Sequence, residues 1–239
     1  MSDSDQFKGD PIGAAIMDFA DTKKPKDIIV SSDLCEDDII PVEVLFRKYS
    51  DMPELEQMAL GRSKGKVLDV GAGAGAHSLE LQDRGCEVFP IEISNGAVSY
   101  MKKVGLNPRK INFFDLKDEK YDTILMMMNG IGIAGKLSNL EKTLLQAKNL
   151  LNKGGRILCD SSDIKYLYED EDGSMWIDLN NEYYGNFRFQ MQYKKEKGPW
   201  FDWLYVDFDN LFQAAKKVGL KANRIYESDD HYLAELTLD

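Results

Sequence analysis

The sequence has little of what metal sites and disulfide frameworks are built from: two histidines and three cysteines among 239 residues. The cysteines, Cys35, Cys86 and Cys159, are far apart and form no C-x-x-C pair, which indicates free thiols in a reducing compartment. No apolar run reaches the ~20 residues of a membrane span, and the polar, acidic start MSDSDQFKGD is unlike a signal peptide. We therefore expect a cytoplasmic protein with no metal site and no membrane partner.

Basic residues are also scarce relative to acidic ones. The chain has 30 Lys and Arg against 41 Asp and Glu, which gives a formal net charge of −11. This balance disfavours nucleic acids and anionic membranes as partners, because both carry dense negative charge. With 43% apolar and 30% charged residues, the composition is that of a globular protein whose length allows one large core.

Two kinds of pattern divide the chain near residue 62. Residues 1–62 are predicted to form an N-terminal helical cap, with helices in DPIGAAIMDFAD, DDIIPVEVLFRKY and MPELEQMAL. In residues 63–239, short apolar runs alternate with amphipathic segments, which predicts βαβ units and a parallel sheet. Two alternating runs near 183–206 predict an inserted β-hairpin, and the short turn SDD makes the last two strands antiparallel.

The stretch LDVGAGAGAH joins the first of these strands to the helix that follows it. Gly71, Gly73 and Gly75 form a tight turn that a ligand can approach closely, at the positive end of a helix dipole. The spacing also fits the G-x-G-x-x-G/A fingerprint of nicotinamide enzymes, so the turn alone permits two interpretations. Asp69 favours the other one, because a carboxylate there repels a pyrophosphate but suits a ligand with an ammonium group.

A second acid, Glu92, ends the next strand in FPIEIS, 17 residues after Gly75. An acid at this point can accept hydrogen bonds from both hydroxyls of a ribose, and each is worth roughly 1.5–3 kcal/mol when the acceptor is charged. Asp69 and Glu92 together therefore predict a ligand with an amino acid end and a nucleoside end.

Five segments together resemble the motifs of the class I S-adenosylmethionine-dependent methyltransferases: LDVGAGAGAH, PIEIS, INFFDL, YDTILMMMNGIG and LLNKGGRILCDSS. The resemblance covers about residues 44–239. It implies an α/β fold with a Rossmann-like seven-stranded, mostly parallel sheet, an antiparallel last strand, and S-adenosyl-L-methionine as the cofactor. It further implies methyl transfer by in-line displacement, in which the cofactor supplies the reactivity and the protein supplies alignment and desolvation.

The same resemblance implies roles for individual residues. Those expected to bind the cofactor are Asp69, Gly71, Ala72, Gly73, Gly75, Glu92, Ile93, Asn112, Phe113, Met128 and Asn129, with Arg47 and Tyr49 folding over it from the N-terminal segment. Asn112 departs from the family, which usually has an aspartate there to accept from the adenine amino group. Asp160, Ser161 and Trp203 are expected to bind the substrate, and His77, in the first turn of a helix, is the candidate general base.

The acceptor expected from these features is a small molecule. The fourth motif is not the N-P-P-Y associated with methylation of nucleic-acid amino groups. Two alternatives stay open: an NAD(P)-dependent oxidoreductase and a non-catalytic S-adenosylmethionine-binding protein. The sequence identifies neither the acceptor, nor the atom that is methylated, nor the oligomeric state.

Overall fold

A computed structural model describes residues 7–168 and 183–238 of the chain. Its helices are α1 (Pro11–Thr22), α2 (Glu54–Arg62), α3 (Ala76–Asp83), α4 (Asn95–Lys103), α5 (Leu140–Asn149) and α6 (Phe208–Lys217). Its strands are β1 (Asp27–Ser32), β2 (Asp38–Pro41), β3 (Lys66–Val70), β4 (Glu87–Glu92), β5 (Arg109–Lys110), β6 (Tyr121–Met126), β7 (Leu151–Ser162), β8 (Asn186–Tyr193), β9 (Glu196–Leu204), β10 (Leu220–Ser228) and β11 (His231–Leu238). No helix within these described ranges is long and apolar enough to cross a membrane.

Seven strands form the larger sheet, in the order β10-β11-β7-β6-β3-β4-β5. β3 pairs in parallel with β4 and β6, β6 pairs in parallel with β7, and β11 is antiparallel to both β7 and β10. The predicted Rossmann-like, mostly parallel sheet with an antiparallel last strand is therefore confirmed. The carboxyl ends of β3, β4, β6 and β7 meet at one edge, and ligands of open parallel sheets bind at that edge.

Both faces of this sheet are covered by helices, as strands made of continuous apolar runs require. Leu68 packs in one cluster with residues of α5 and α6, while its neighbour Val67 packs in another with residues of α2 and α3. Both side chains are fully buried. Successive residues of β3 therefore face opposite layers of helices, which fixes the register of the strand that leads into the glycine turn.

The N-terminal segment is not the purely helical cap that the sequence predicts. The helices expected in DPIGAAIMDFAD and MPELEQMAL are present as α1 and α2, but DDIIPVEVLFRKY forms β2 and then a 3₁₀ turn at Val42–Phe46. In β2, Ile39 and Ile40 lie opposite Ile29 and Ile28 of β1, a strand that the sequence prediction misses. Pairing of these β-branched residues with another strand outweighs the local helical pattern.

The N-terminal strands and the hairpin form one four-stranded sheet in the order β2-β1-β8-β9, which we call the cover sheet. The hairpin lies within the predicted 183–206 range and turns between Tyr193 and Glu196. β1 pairs antiparallel with β8, which places Ile29 opposite Gln192. The hairpin is therefore not an independent insertion, because it completes a sheet with the N-terminal segment.

The cover sheet is attached on both sides of the carboxyl edge of the larger sheet. On one side, α1 packs against the hairpin and against α4. Asp10, the N-cap of α1, accepts hydrogen bonds from Ser94 Oγ (2.9 Å) and Gly96 N (3.1 Å) at the start of α4. On the other side, the Trp203 indole of β9 lies against Gly132, in the turn that follows β6. The cover sheet therefore spans the edge at which the parallel strands end.

Candidate functional site

The turn between β3 and α3 presents bare backbone at the carboxyl edge. Gly71 and Gly73 have positive φ angles of 71° and 56°, and a Cβ at either position would meet no other described atom within 4 Å. A Cβ at Gly75 would instead lie 2.5 Å from Leu106 Cδ1. The first two glycines keep one face of the turn open to close approach, while the third lets the turn pack against the segment after α4.

Four amides of this turn are bonded within the protein, among them Gly75 N, which donates to Ala72 O at 2.8 Å. Gly71 N and Ala72 N both donate to Ile91 O, at 3.0 and 3.2 Å. Gly73 N donates to the carboxylate of Glu92 at 3.0 Å. A ligand at this turn therefore gains a close-fitting surface rather than a row of free N–H donors.

Asp69 lies beneath the turn, one residue before the end of β3, and is 2% exposed. Its Oδ2 accepts a 2.6 Å hydrogen bond from Ser78 Oγ of α3. Burial raises the pKa of Asp69, although the charge of His77 and the hydrogen bond from Ser78 act in the opposite direction. A further cationic group beside this carboxylate would favour its ionised form.

Glu92 closes β4 with its carboxylate turned back onto the chain. Its Oε2 accepts from Gly73 N at 3.0 Å, and its Oε1 accepts from Ile93 N at 2.7 Å and Ser94 N at 3.0 Å. Burial raises the pKa of Glu92 and outweighs these three backbone hydrogen bonds, which lower it. The side chain of Ile93 is 65% exposed. The end of β4 therefore offers a carboxylate beside an apolar surface, an arrangement that suits a nucleoside.

The segment after β5 adds a polar and an aromatic residue to the same edge. Asn112 is exposed, and its Oδ1 accepts a 3.0 Å hydrogen bond from Phe114 N. Phe113 is buried, and its carbonyl accepts from Gln146 Nε2 of α5. The side-chain oxygen of Asn112 is thus already an acceptor within the chain, so a ligand would have to use its second lone pair.

A chain of charged side chains connects the N-terminal segment to the glycine turn. Glu56 of α2 is 5% exposed and accepts from Arg47 Nη2 at 2.7 Å and from His77 Nε2 at 2.8 Å. Glu56 is not among the residues predicted from the sequence. It lies on the buried stripe of α2 with Leu55 and Ala59, and an acid on an apolar helix face is the signal that could have revealed it.

The surroundings of His77 favour its protonated form. Burial lowers the pKa of His77, but the hydrogen bond to Glu56 and the charges of Asp69 and Glu56 outweigh it, so the pKa is raised. Burial raises the pKa of Glu56, but the contacts with His77 and Arg47 prevail and lower it. The contact with Glu56 therefore favours the protonated imidazole over the neutral one. This direction is opposite to the one that the helix dipole alone predicts, because Glu56 comes from another helix. The role of His77 as a general base stays a prediction.

The ends of β6 and β7 are joined through Asn129. Its backbone N donates to both carboxylate oxygens of Asp160, at 2.9 and 3.0 Å, and its Oδ1 accepts from Ser161 Oγ at 2.8 Å. Met128, which is 41% exposed, and Asn129 have left-handed φ angles of 60° and 56°, a strain that is concentrated at functional sites in proteins. Asn129 Nδ2 also donates to Leu204 O at 3.2 Å, which ties the hairpin to the end of β6.

The ring of Tyr49 packs against α3. This ring lies 4.3 Å from the guanidinium carbon of Arg84, at the C-terminal end of α3, whereas the glycine turn precedes α3. This contact gives no support to the prediction that Tyr49 covers a ligand. Most of the other predicted site residues lie at the carboxyl edge of the larger sheet: the glycine turn, Glu92, Asn112, Asn129, Asp160 and their neighbours along the chain.

Residues 43–220 match a family model described as a methyltransferase domain. The chain is also 46% identical to an S-adenosylmethionine-dependent methyltransferase from Bacteroides fragilis, whose crystal structure contains S-adenosyl-L-homocysteine. The two structures agree with a TM-score of 0.91, covering 97% of this chain and 96% of that chain. The chain belongs to the class I S-adenosylmethionine-dependent methyltransferases.

Two further proteins are similar to this methyltransferase at lower identity. An uncharacterized methyltransferase from Staphylococcus carnosus (strain TM300) is 28% identical over 160 residues, which cover 59% of this chain and 71% of that protein. The sugar N-methyltransferase KedS8 from Streptoalloteichus sp ATCC 53650 is 12% identical, with a TM-score of 0.54 over 77% of this chain and 85% of that chain. At that identity the likeness shows the fold alone. The family match decides against the NAD(P)-dependent oxidoreductase.

The charges of the site fit S-adenosyl-L-methionine, which is the cofactor of the methyltransferase. In the described part of the chain, Asp69, Glu56 and Asp160 are the buried acids, and Arg47 and His77 are the cations in contact with Glu56. The Nε of Arg47 is buried and has no hydrogen-bond partner among the described residues. Two cations against three carboxylates leave room for further positive charge, which the ammonium and sulfonium groups of the cofactor carry, and the free N–H suits its carboxylate.

We predict that the stability of the methyltransferase depends on pH through the titration of Asp160. Burial raises the pKa of Asp160 from 3.8 to about 6, against the hydrogen bond from the Asn129 amide, which lowers it. The stabilisation from this carboxyl is complete below the unfolded pKa and is lost as the pH rises through about 6. Asp160→Asn should remove this loss, which is on the order of 3 kcal/mol. Urea unfolding of the ligand-free protein at about pH 4 and about pH 7 measures the difference.

Asp83→Asn is the matched control for this prediction, because Asp83 is exposed at the end of α3. It should change stability by a similar amount at both pH values. If wild type and Asp160→Asn lose stability in parallel as the pH rises, the assignment to Asp160 is wrong.

Proposed function

We propose that this methyltransferase transfers the methyl group of S-adenosylmethionine to a small-molecule acceptor, which binds between the ends of β6 and β7 and the cover sheet. The observation that carries the proposal is the attachment of the cover sheet on both sides of the carboxyl edge. Asp10 links α1 to the start of α4, and Leu204 and Trp203 link the hairpin to the segment after β6. A bridged edge suits an acceptor that fits beneath the cover better than it suits a protein or nucleic acid chain.

The hairpin supplies aromatic surface to the cover. Five aromatic side chains contact one another with ring centroids 5.4 to 6.4 Å apart: Phe187, Phe189, Phe201, Trp203 and Tyr205. Burial raises the pKa of Tyr205, and the charge of Asp160 adds to this effect. Asn129 contacts Asp160, Ser161 and also Leu204, the residue after Trp203, which supports a proposed acceptor site with Asp160 and Ser161 below and Trp203 above.

We also propose how the cofactor is held. Asp69 binds the ammonium group of the methionine part, and the free N–H of Arg47 donates to its carboxylate. Glu92 accepts from the ribose hydroxyls, and Ile93 flanks the adenine. Further contacts are proposed for Gly71, Ala72, Gly73, Gly75, Asn112, Phe113, Met128 and Asn129.

In the proposed reaction the protein aligns the acceptor with the cofactor and excludes water from the reacting atoms. When bound, the cofactor supplies an electrophilic methyl group on a sulfonium. Residues at the ends of β6 and β7 orient the acceptor toward that methyl, and the cover sheet keeps water from the reacting atoms. The hydrogen bond to Glu56 favours the protonated form of His77, so the proposal assigns His77 no proton transfer from the acceptor.

Turnover with a fractionated extract tests the size class of the acceptor. The protein and S-adenosylmethionine are incubated with a bacterial extract that dialysis has divided into a permeant and a retained fraction, and S-adenosylhomocysteine is measured. We expect product with the permeant fraction. Turnover confined to the retained fraction would overturn the proposal.

Once an active fraction is known, Trp203→Ala tests the proposed acceptor site. We expect the KM for the acceptor to rise about tenfold, because the variant loses buried aromatic surface. The affinity for S-adenosylhomocysteine should stay within about twofold. Trp200→Ala is the matched control, since Trp200 is exposed on the same strand. An unchanged acceptor KM in Trp203→Ala would contradict this placement of the acceptor.

A further inference from the structure

Glu56 is a buried acid whose two carboxylate oxygens contact cations from two different parts of the molecule. Oε1 lies 2.7 Å from Nη2 of Arg47, which follows the Val42–Phe46 turn, and Oε2 lies 2.8 Å from Nε2 of His77, in the first turn of α3. A buried carboxylate is costly unless it is paired, so these contacts keep Glu56 in place. By the same contacts, Glu56 determines where both cations lie.

His77 lies close to the carboxylate beneath the glycine turn, and Arg47 is connected to His77 through Glu56. His77 follows Gly75 by two residues, and its charge acts on Asp69. The charge of Arg47 acts in turn on His77, and the buried Nε of Arg47 has no partner in the described part of the chain. Glu56 therefore holds a guanidinium with a donor to spare and an imidazole in one buried cluster, and the imidazole is the member of that cluster that acts on Asp69.

We infer that Glu56 is a positioning residue for cofactor binding: it holds the Arg47 guanidinium and the His77 imidazolium where they shape the pocket for the methionine end of S-adenosylmethionine. This inference rests on the proposed roles of Asp69 and Arg47. Glu56 acts through its two partners, not on the reacting atoms.

Removing the charge of Glu56 changes both partners at once. The charged groups that face His77 are Glu56 from α2, Asp69 from β3 and Arg47 from the N-terminal segment. Without Glu56 the imidazole loses a hydrogen-bonded anion and keeps a neighbouring cation, so its pKa falls. Arg47 loses the ion pair that orients it. The pocket around Asp69 then has a histidine with a lower pKa and an arginine without its ion-pair partner.

Glu56→Gln tests the inference, and Glu54→Gln, exposed two residues earlier on the same helix, is the matched control. Calorimetry with S-adenosylhomocysteine and with adenosine separates the two ends of the ligand, because adenosine lacks the amino acid. We expect Glu56→Gln to weaken S-adenosylhomocysteine binding by about tenfold or more and adenosine binding by less than about twofold. The KM for S-adenosylmethionine should rise by a similar factor, with a smaller change in kcat.

Histidine NMR provides a readout that a merely structural role would not move. The chain has two histidines, and His231 is exposed at the start of β11, so a His231→Asn background assigns the signal of His77. We expect the pKa of His77 to fall in Glu56→Gln and to stay unchanged in Glu54→Gln. If Glu56→Gln does not fold, Arg47→Gln, which retains the pair of Glu56 and His77, should show the same selective loss of S-adenosylhomocysteine.

Asp69→Asn, measured in parallel, separates this inference from the proposed cofactor arrangement. Selective loss of S-adenosylhomocysteine in both Asp69→Asn and Glu56→Gln, with a lower His77 pKa in the latter, supports the inference. Selective loss in Asp69→Asn alone overturns the role of Glu56 and leaves the proposed function standing. Equal effects on S-adenosylhomocysteine and adenosine in both variants overturn the inference and the proposed position of the methionine part.

Discussion

Glu92→Ala is expected to weaken binding of S-adenosylhomocysteine about a thousandfold. In the proposed arrangement the carboxylate accepts from both ribose hydroxyls, and each hydrogen bond to a charged acceptor contributes roughly 1.5–3 kcal/mol. The same carboxylate accepts from Gly73 N, Ile93 N and Ser94 N, so its removal also takes away one of the hydrogen bonds that hold the glycine turn. Isothermal titration calorimetry measures the affinity directly.

Glu87→Ala is the matched control, because Glu87 is exposed at the opposite end of β4. It should bind S-adenosylhomocysteine as the wild type does. Glu92→Gln keeps the volume of the side chain and one acceptor oxygen, so we expect it to lose about tenfold in affinity. A Glu92→Ala protein that binds within about threefold of wild type would refute the ribose-binding role.

Gly96→Ala is expected to destabilise the fold by about 3 kcal/mol. A Cβ at Gly96 would overlap the Cα and the carbonyl of Gly13 in α1, and backbone atoms cannot rotate away as a side chain can. α1 therefore has to move off α4, and Asp10 loses its hydrogen bonds from Ser94 and Gly96. Urea unfolding measures the loss of stability, and faster proteolysis within Pro11–Thr22 would locate it.

Gly61→Ala provides the control for an added methyl group on a helix. Gly61 is exposed in α2, and a Cβ there would meet no other described atom within 4 Å. The substitution should stabilise the protein by up to about 1 kcal/mol, since alanine favours the helix over glycine. Wild-type stability in Gly96→Ala would show that α1 does not pack on α4 in this way.

The larger sheet could be predicted because its signals are local. Each central parallel strand is a continuous apolar run that ends in a glycine turn or a polar residue. The apolar runs and the residues that end them are therefore sufficient to predict these strands. Asp69 and Glu92 lie at the ends of two such strands, and parallel topology alone brings strand ends to one edge. The hairpin could be predicted for the same reason, because its alternating apolar pattern and its turn both lie within residues 186–204.

The cover sheet could be predicted only in part. DDIIPVEVLF has apolar residues that suit either a helix or a strand, and the choice is made by β1. β1 in turn needs β8 as its other neighbour, and nothing in the local pattern of DIIVSS indicates a partner so far along the chain. Pairing between distant segments decides such elements, as it does wherever strand propensity depends on context.

The sequence by itself determined the parallel sheet, the open glycine turn and the two acids at the strand ends, since each depends on neighbours along the chain. Only the tertiary structure decided that strands from two distant segments bridge the carboxyl edge, that Glu56 reaches Arg47 and His77, and that this contact raises the pKa of His77. These features arise from side chains and strands that folding brings together from separate segments, and neither periodicity nor spacing carries a signal for such encounters.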